Sequence, residues 1–156
     1  MAPDTTDLQY SNLRYDGWRQ SQKSITFNGA VSGAIGDFSI GSPFNIFTVT
    51  GDVIVKVLGI CTTVVSGAAA TISVGVTGTT SGIINTTTAD NINANDIWHD
   101  TSPDTGIELS SVISENIIAN GLDIIGTVAT ANVSSGVVKF DCLWKPLSDD
   151  GLVVSA

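Results

Sequence analysis

Residues 52–63, DVIVKVLGICTT, decide the fold class. On an extended chain Val53, Val55, Val57, Gly59 and Cys61 share one side, and Lys56 lies on the other. Side chains alternate across a strand, so this period buries the valines and leaves the lysine wet. A second strand, Phe44–Thr50, precedes it across the turn Thr50-Gly51-Asp52.

The same period recurs in both directions. Ser24–Asn28 puts Ile25 and Phe27 on one face. Ala70–Thr77 sets Ile72, Val74 and Val76 against Thr71, Ser73 and Thr77. Val137–Trp144 turns Val138, Phe140, Cys142 and Trp144 inward and Lys139 and Asp141 outward, and Pro146 stops it. Asn28–Pro43 is glycine-rich and irregular. Gly78–Asp104 is the least regular stretch, running through Ile83–Thr88, Asp90–Asn95 and Asp96–Asp100; one or two short strands joined by long loops are expected here, with helix as the alternative for Ala89–Ile97. Gly106–Ser110 is a further short-strand candidate.

Asn120-Gly121 between apolar runs carries the signature of a two-residue type I′ hairpin. That hairpin would pair Ala119 with Leu122 and Ile117 with Ile124, all on one face with Val128. The sum is about eight to ten strands with turn signals every 8–12 residues. The expected fold is all-β, an antiparallel β-sandwich, with a jelly roll as one arrangement of it; strand order is not readable from these residues. The expected organisation is an extended N-terminal arm at 1–23, the sandwich at 24–146 and a C-terminal tail at 147–156.

Charge separates arm from body. The chain carries a formal net charge of -9, and charged residues make up 13% of it against roughly 25% in average soluble domains. Residues 1–23 balance Arg14, Arg19 and Lys23 against Asp4, Asp7 and Asp16, so the body carries the whole deficit. An acidic body repels a phosphate backbone, which argues against direct nucleic-acid binding. No apolar run approaches the roughly 20 residues of a membrane helix. MAPDTTDLQY has neither a basic start nor an apolar core, so a secretory signal is not expected.

The arm holds Tyr10, Arg14, Tyr15, Trp18 and Arg19. Free tails are poor in aromatics, whereas aromatic and arginine side chains anchor interfaces. These five are therefore the candidate partner-binding residues; the alternative is that the segment packs on its own sandwich.

Catalytic and metal patterns are thin. His99 is the single histidine, beside Trp98, Asp96 and Asp100, which suggests a polar loop cluster. No G-x-S-x-G elbow accompanies it; GDFSIG at 36–41 has the wrong spacing. Cys61 and Cys142 fall within apolar alternating runs and suggest buried thiols, with one disulfide as the alternative. Asp90, Asn91, Asn93, Asn95, Asp96, Asp100 and Asp104 offer oxygen ligands, but Ile92 and Ala94 break the calcium-loop frame. Turn-forming Asx hydrogen bonds explain them better. Sugar sites bring exposed aromatics, and the expected core leaves only Trp98, Phe38 and Phe44 spare in the body. No catalytic residue, cofactor or metal is expected.

GWRQSQKSITFNGA (Gly17–Ala30), IFTVTGDVIVKVLGICTT (Ile46–Thr63), ADNINANDIWHD (Ala89–Asp100) and CLWKPLSDDGLVV (Cys142–Val154) resemble a group of small virion proteins of tailed bacteriophages and prophages. The resemblance implies a capsid decoration, or cement, protein. Such a protein binds the major capsid protein on the outer head surface, forms homo-oligomers with trimers favoured, and engages neighbours through an N-terminal arm. It implies a virion location after assembly in the host cytoplasm. The alternative is a tail or fibre module that binds a host-surface glycan.

Overall fold

The computed structural model describes residues 17–29 and 42–156. Its strands are β1 (Arg19–Phe27), β2 (Phe44–Thr50), β3 (Val53–Ser66), β4 (Thr71–Val76), β5 (Thr79–Thr88), β6 (Asp96–Trp98), β7 (Asp104–Thr105), β8 (Asn116–Ile118), β9 (Ile124–Ala129), β10 (Ser135–Pro146) and β11 (Leu152–Ser155). Among the described residues, helical geometry is limited to short 3-10 turns such as Ala89–Asn91 and Ser110–Val112. The helix considered for Ala89–Ile97 is only the first of these, and Gly106–Ser110 holds no strand; the extended pair here is Asp104–Thr105.

Two antiparallel sheets pack face to face. Sheet 1 runs β1-β10-β3-β6-β7, with β8 also on β3; sheet 2 runs β11-β2-β9-β4-β5. Strands β6 and β8 share one edge of β3, at Gly59–Ile60 and at Val53–Val55. Counting that pair as one position, the sheets read β1-β10-β3-β8 and β2-β9-β4-β5, with β11 added outside β2. The chain crosses between sheets at nearly every connection, which is the double Greek-key order of a jelly roll.

The periodic faces are the core. Val53, Val55, Val57 and Cys61 of β3 and Val138, Phe140, Cys142 and Trp144 of β10 point at Ile46, Val49, Ile72, Val74, Ile124 and Val128 of sheet 2. Burying each such side chain contributes roughly 1.5–3 kcal/mol. Gly59 sits opposite both Trp98 and Phe140 in the ladder. A Cβ there would come within 2.8 Å of Val138 Cγ1 and 3.2 Å of Trp98 Cε3. The missing side chain leaves room for the two rings, which meet edge to face with centroids 5.9 Å apart.

Three expectations change. The Asn120-Gly121 turn exists, with φ of 58° and 67°, but it joins β8 in sheet 1 to β9 in sheet 2 and forms no hairpin. Its backbone partners come from the β2–β3 corner instead: Gly121 N donates to Gly51 O at 2.8 Å and Asn120 N to Asp52 Oδ1 at 2.8 Å. Ile117, Ala119 and Leu122 are consequently exposed while Ile118 and Ile124 are buried. Second, β1 begins at Arg19, so the sandwich takes in 19–23, paired with Trp144 through Phe140. Third, β11 pairs with β2, so 147–156 is no free tail.

One side of the sandwich is laced shut. Ser21 Oγ donates to Val153 O at 2.7 Å, and Lys23 Nζ donates to Ala156 O at 2.6 Å and Asn45 O at 3.1 Å, joining β1 to β11 and β2. Among the described residues, β5 and β7 end the sheets on the other side.

Candidate functional site

Of the five arm residues, Tyr10, Arg14 and Tyr15 lie outside the described residues. Trp18 and Arg19 pack on their own body. Lys145 Nζ stands 4.7 Å and Lys56 Nζ 5.6 Å from the Trp18 ring centre, and the Arg19 guanidinium lies 5.1 Å from the Trp144 ring. A cation over an aromatic face contributes about 0.5–1 kcal/mol at an exposed site. Further along β1, Gln20 Nε2 donates to Asp141 Oδ1 at 2.9 Å, and Gln22 donates to the same oxygen. Asp141 is thereby nearly buried on the outer side of sheet 1.

The two sheets differ in chemistry. Lys56, Lys139 and Lys145, the three lysines of the chain after residue 24, all lie on the outer side of sheet 1, with Glu115 3.6 Å from Lys56. The strands of sheet 2 read FNIFTVT, TISVGV, TTSGIINTTT, IIGTVA and LVVS and carry no charged side chain. Its outermost strand β5 is long and contains neither lysine nor proline, the residues that usually keep an edge from pairing with another chain. Leu152 and Val154 add exposed apolar surface at its other end.

Beside sheet 1, the chain between β7 and β8 exposes Ile107 (84%), Leu109 (68%) and Val112. Leu109 and Ile113 border a groove with Leu58, Ile97 and Leu143. Neither the uncharged sheet nor this apolar loop was among the residues singled out from sequence. Strands β2, β4, most of β5 and β9 are legible as uncharged runs, but β11 lies in the expected tail and which strands sit together is not legible.

A polar cluster gathers around His99. His99 follows β6, which Trp98 anchors: the indole is fully buried and its Nε1 donates to Thr87 Oγ1 at 2.8 Å. Asp104 is placed by the β6–β7 ladder, opposite Ile97. The His99 side chain, 7% exposed, faces Glu108 Oε2 at 3.4 Å and Asp104 Oδ2 at 3.7 Å through Nε2, and Asp100 Oδ2 at 3.9 Å through Nδ1. The Asp104 carboxyl is pushed above its ordinary value, first by its hydrogen bond with Glu108, then by desolvation and the Glu108 charge. Glu108 is held below its ordinary value, first by the Leu109 amide at 2.6 Å, then by Asp104.

The neighbours expected around His99 are partly different. Asp96 turns inward, accepting from Thr105 Oγ1 at 2.6 Å and Asn93 N at 2.7 Å. Asp90 accepts from Gly67 N and Asp100 from Ser102 N, each at 2.7 Å, and Asn95 has φ of 73°. These are turn-holding roles. Trp98 and Phe44, counted as spare aromatics, are both core residues, and Phe38 lies outside the described residues. Cys61 and Cys142 are buried free thiols, and burial pushes both thiol pKa values up.

Comparison with protein-family models, with curated proteins and with solved structures finds no match to this chain.

Proposed function

We propose that this chain is a non-enzymatic structural protein of a phage virion, a decoration protein that binds the outer surface of the major capsid protein lattice and stabilises the head. The observation that carries it is the uncharged sheet 2 in a chain of net charge -9. Interface cores are depleted of charge, and a sheet ending in a long strand without lysine or proline is suited to packing and strand addition. The jelly-roll order is shared with many viral capsid domains, which is an analogy of fold and adds support of that kind alone. In this role 1–16 act as the arm toward neighbouring capsid subunits, and copies associate as trimers at three-fold positions. The glycan-binding alternative gains no observation, because Trp98 and Phe44 face the core.

The test is co-sedimentation with capsids assembled without the chain. The full chain is expected to saturate them, and a chain of residues 17–156 to bind far more weakly while remaining folded. Failure of the full chain to bind capsids removes the proposal; equal binding by both chains removes the role of the arm.

A further inference from the structure

We propose that His99, Asp104 and Glu108 form a divalent-metal site of the zinc or manganese class. The three offer one imidazole nitrogen and two carboxylate oxygens, all within 4.8 Å of one another. Mixed nitrogen and oxygen donors favour transition ions such as zinc over calcium or magnesium, which prefer all-oxygen shells.

The spacing is the main argument. Charge-assisted hydrogen bonds bring donor and acceptor to about 2.7–2.9 Å. His99 Nε2 stands instead at 3.4 Å from Glu108 Oε2 and 3.7 Å from Asp104 Oδ2. Ligands held at about 2.0–2.1 Å from a tetrahedral ion are separated from one another by about 3.3 Å. The two edges from His99 to the carboxylates are therefore close to those of a coordination polyhedron, and an ion would replace the hydrogen bond that now joins Asp104 to Glu108.

The second argument is preorganisation. The imidazole is more than nine-tenths buried with Nε2 turned toward both carboxylates. Asp100 faces Nδ1 from the other side, where ligating histidines commonly meet an outer carboxylate. The neighbouring Trp98–Thr87 bond and the β6–β7 ladder fix the backbone on which His99 and Asp104 ride. Three protein donors leave a fourth position for water. An ion bound there would fasten the chain around Glu108, and with it exposed Ile107 and Leu109, to the sandwich.

The inference is independent of the capsid reading and is tested on the isolated full chain. After chelator treatment and dialysis, calorimetric titration with zinc and with manganese is expected to show one ion per chain, with calcium and magnesium weaker. Asp104→Asn and Glu108→Gln are each expected to weaken binding by about tenfold or more, while Asp149→Asn in the β10–β11 turn leaves it unchanged. Absence of stoichiometric binding of both ions, or wild-type binding by both variants, overturns the site. A second measurement needs no variant: manganese should broaden the NMR signals of His99, Asp104 and Glu108 first. Broadening centred elsewhere overturns it equally.

Discussion

Trp98 Nε1 donates to Thr87 Oγ1 at 2.8 Å inside the sandwich, a hydrogen bond from sheet 1 to sheet 2. Thr87 Oγ1 also lies 2.9 Å from Asn85 O and 3.1 Å from Asp100 O, so one hydroxyl serves both sheets and the segment after His99. Thr87→Val keeps the volume and removes the acceptor, leaving a buried indole N–H unpaired. The expected loss is about 1–3 kcal/mol in chemical denaturation. An unchanged midpoint would show that another acceptor takes over.

Gly59 is a test of packing. Gly59→Ala places a methyl group against Val138 and the Trp98 ring, and overpacking of this kind costs about 1–3 kcal/mol. Gly59→Val should cost more, because its added methyls meet the Phe140 side as well. Thermal unfolding of the two variants should rank them in that order.

The N-terminal boundary has a measurable position. A chain of residues 17–156 keeps β1 whole and is the reference for thermal melting. A chain of residues 24–156 loses the β1 pairing from Arg19–Trp144 to Lys23–Phe140, and with it the Lys23 bonds to Ala156 O and Asn45 O. It should melt at a clearly lower temperature. Equal melting of both truncations would place 19–23 outside the stable sandwich.

How far the sequence reached depended on the range of the interactions. The alternation of β3, β4 and β10 is local, and the structure buries most of the residues it marks, from Val53 to Trp144; the exceptions are half-buried Val76 and the buried Ser73 and Asp141, which the period placed outside. The Asn120-Gly121 turn was legible for the same reason. The hairpin was not, because a turn with both φ values positive serves equally to swing a chain between sheets. What decided the matter was Gly51 and Asp52, remote in sequence, which supply the turn's partners. The His99 cluster is half legible: the sequence marks Asp104 as a turn residue and gives no signal for Glu108. Their convergence depends on the reversal at β6–β7, which no residue spacing announces. Trp98 reads as available because Asp96, His99 and Asp100 surround it in sequence; its burial follows from the space above Gly59 on a different strand.

The thiols give a chemical readout of the core. The thiolate is the reactive form, and burial, followed by Asp141 for Cys142 and Asp96 for Cys61, raises both pKa values. Raising pH therefore generates little thiolate while the fold holds. At about pH 8 a thiol-specific disulfide reagent should label neither cysteine in the native chain and both after denaturation. Rapid native labelling would contradict the burial.

Asp52 joins three connections at one end of the sandwich. Its carboxylate accepts from Asn120 N, its carbonyl accepts from Leu147 N at 2.8 Å, and its amide donates to Ser148 Oγ at 2.8 Å. Asp52→Ala removes only the first of these. The expected cost is about 0.5–1.5 kcal/mol, read from the denaturation midpoint.

The fourth strand position of sheet 1 is filled by two short pieces, β6 and β8, laid along β3. Everything between them, from His99 to Glu115, is spliced into what would otherwise be one uninterrupted strand. The metal-class cluster and the exposed isoleucine and leucine both belong to that splice. The two ends of that segment are thus pinned to one edge of β3, whereas the register of β3 with β10 lies on the opposite edge and uses none of its residues.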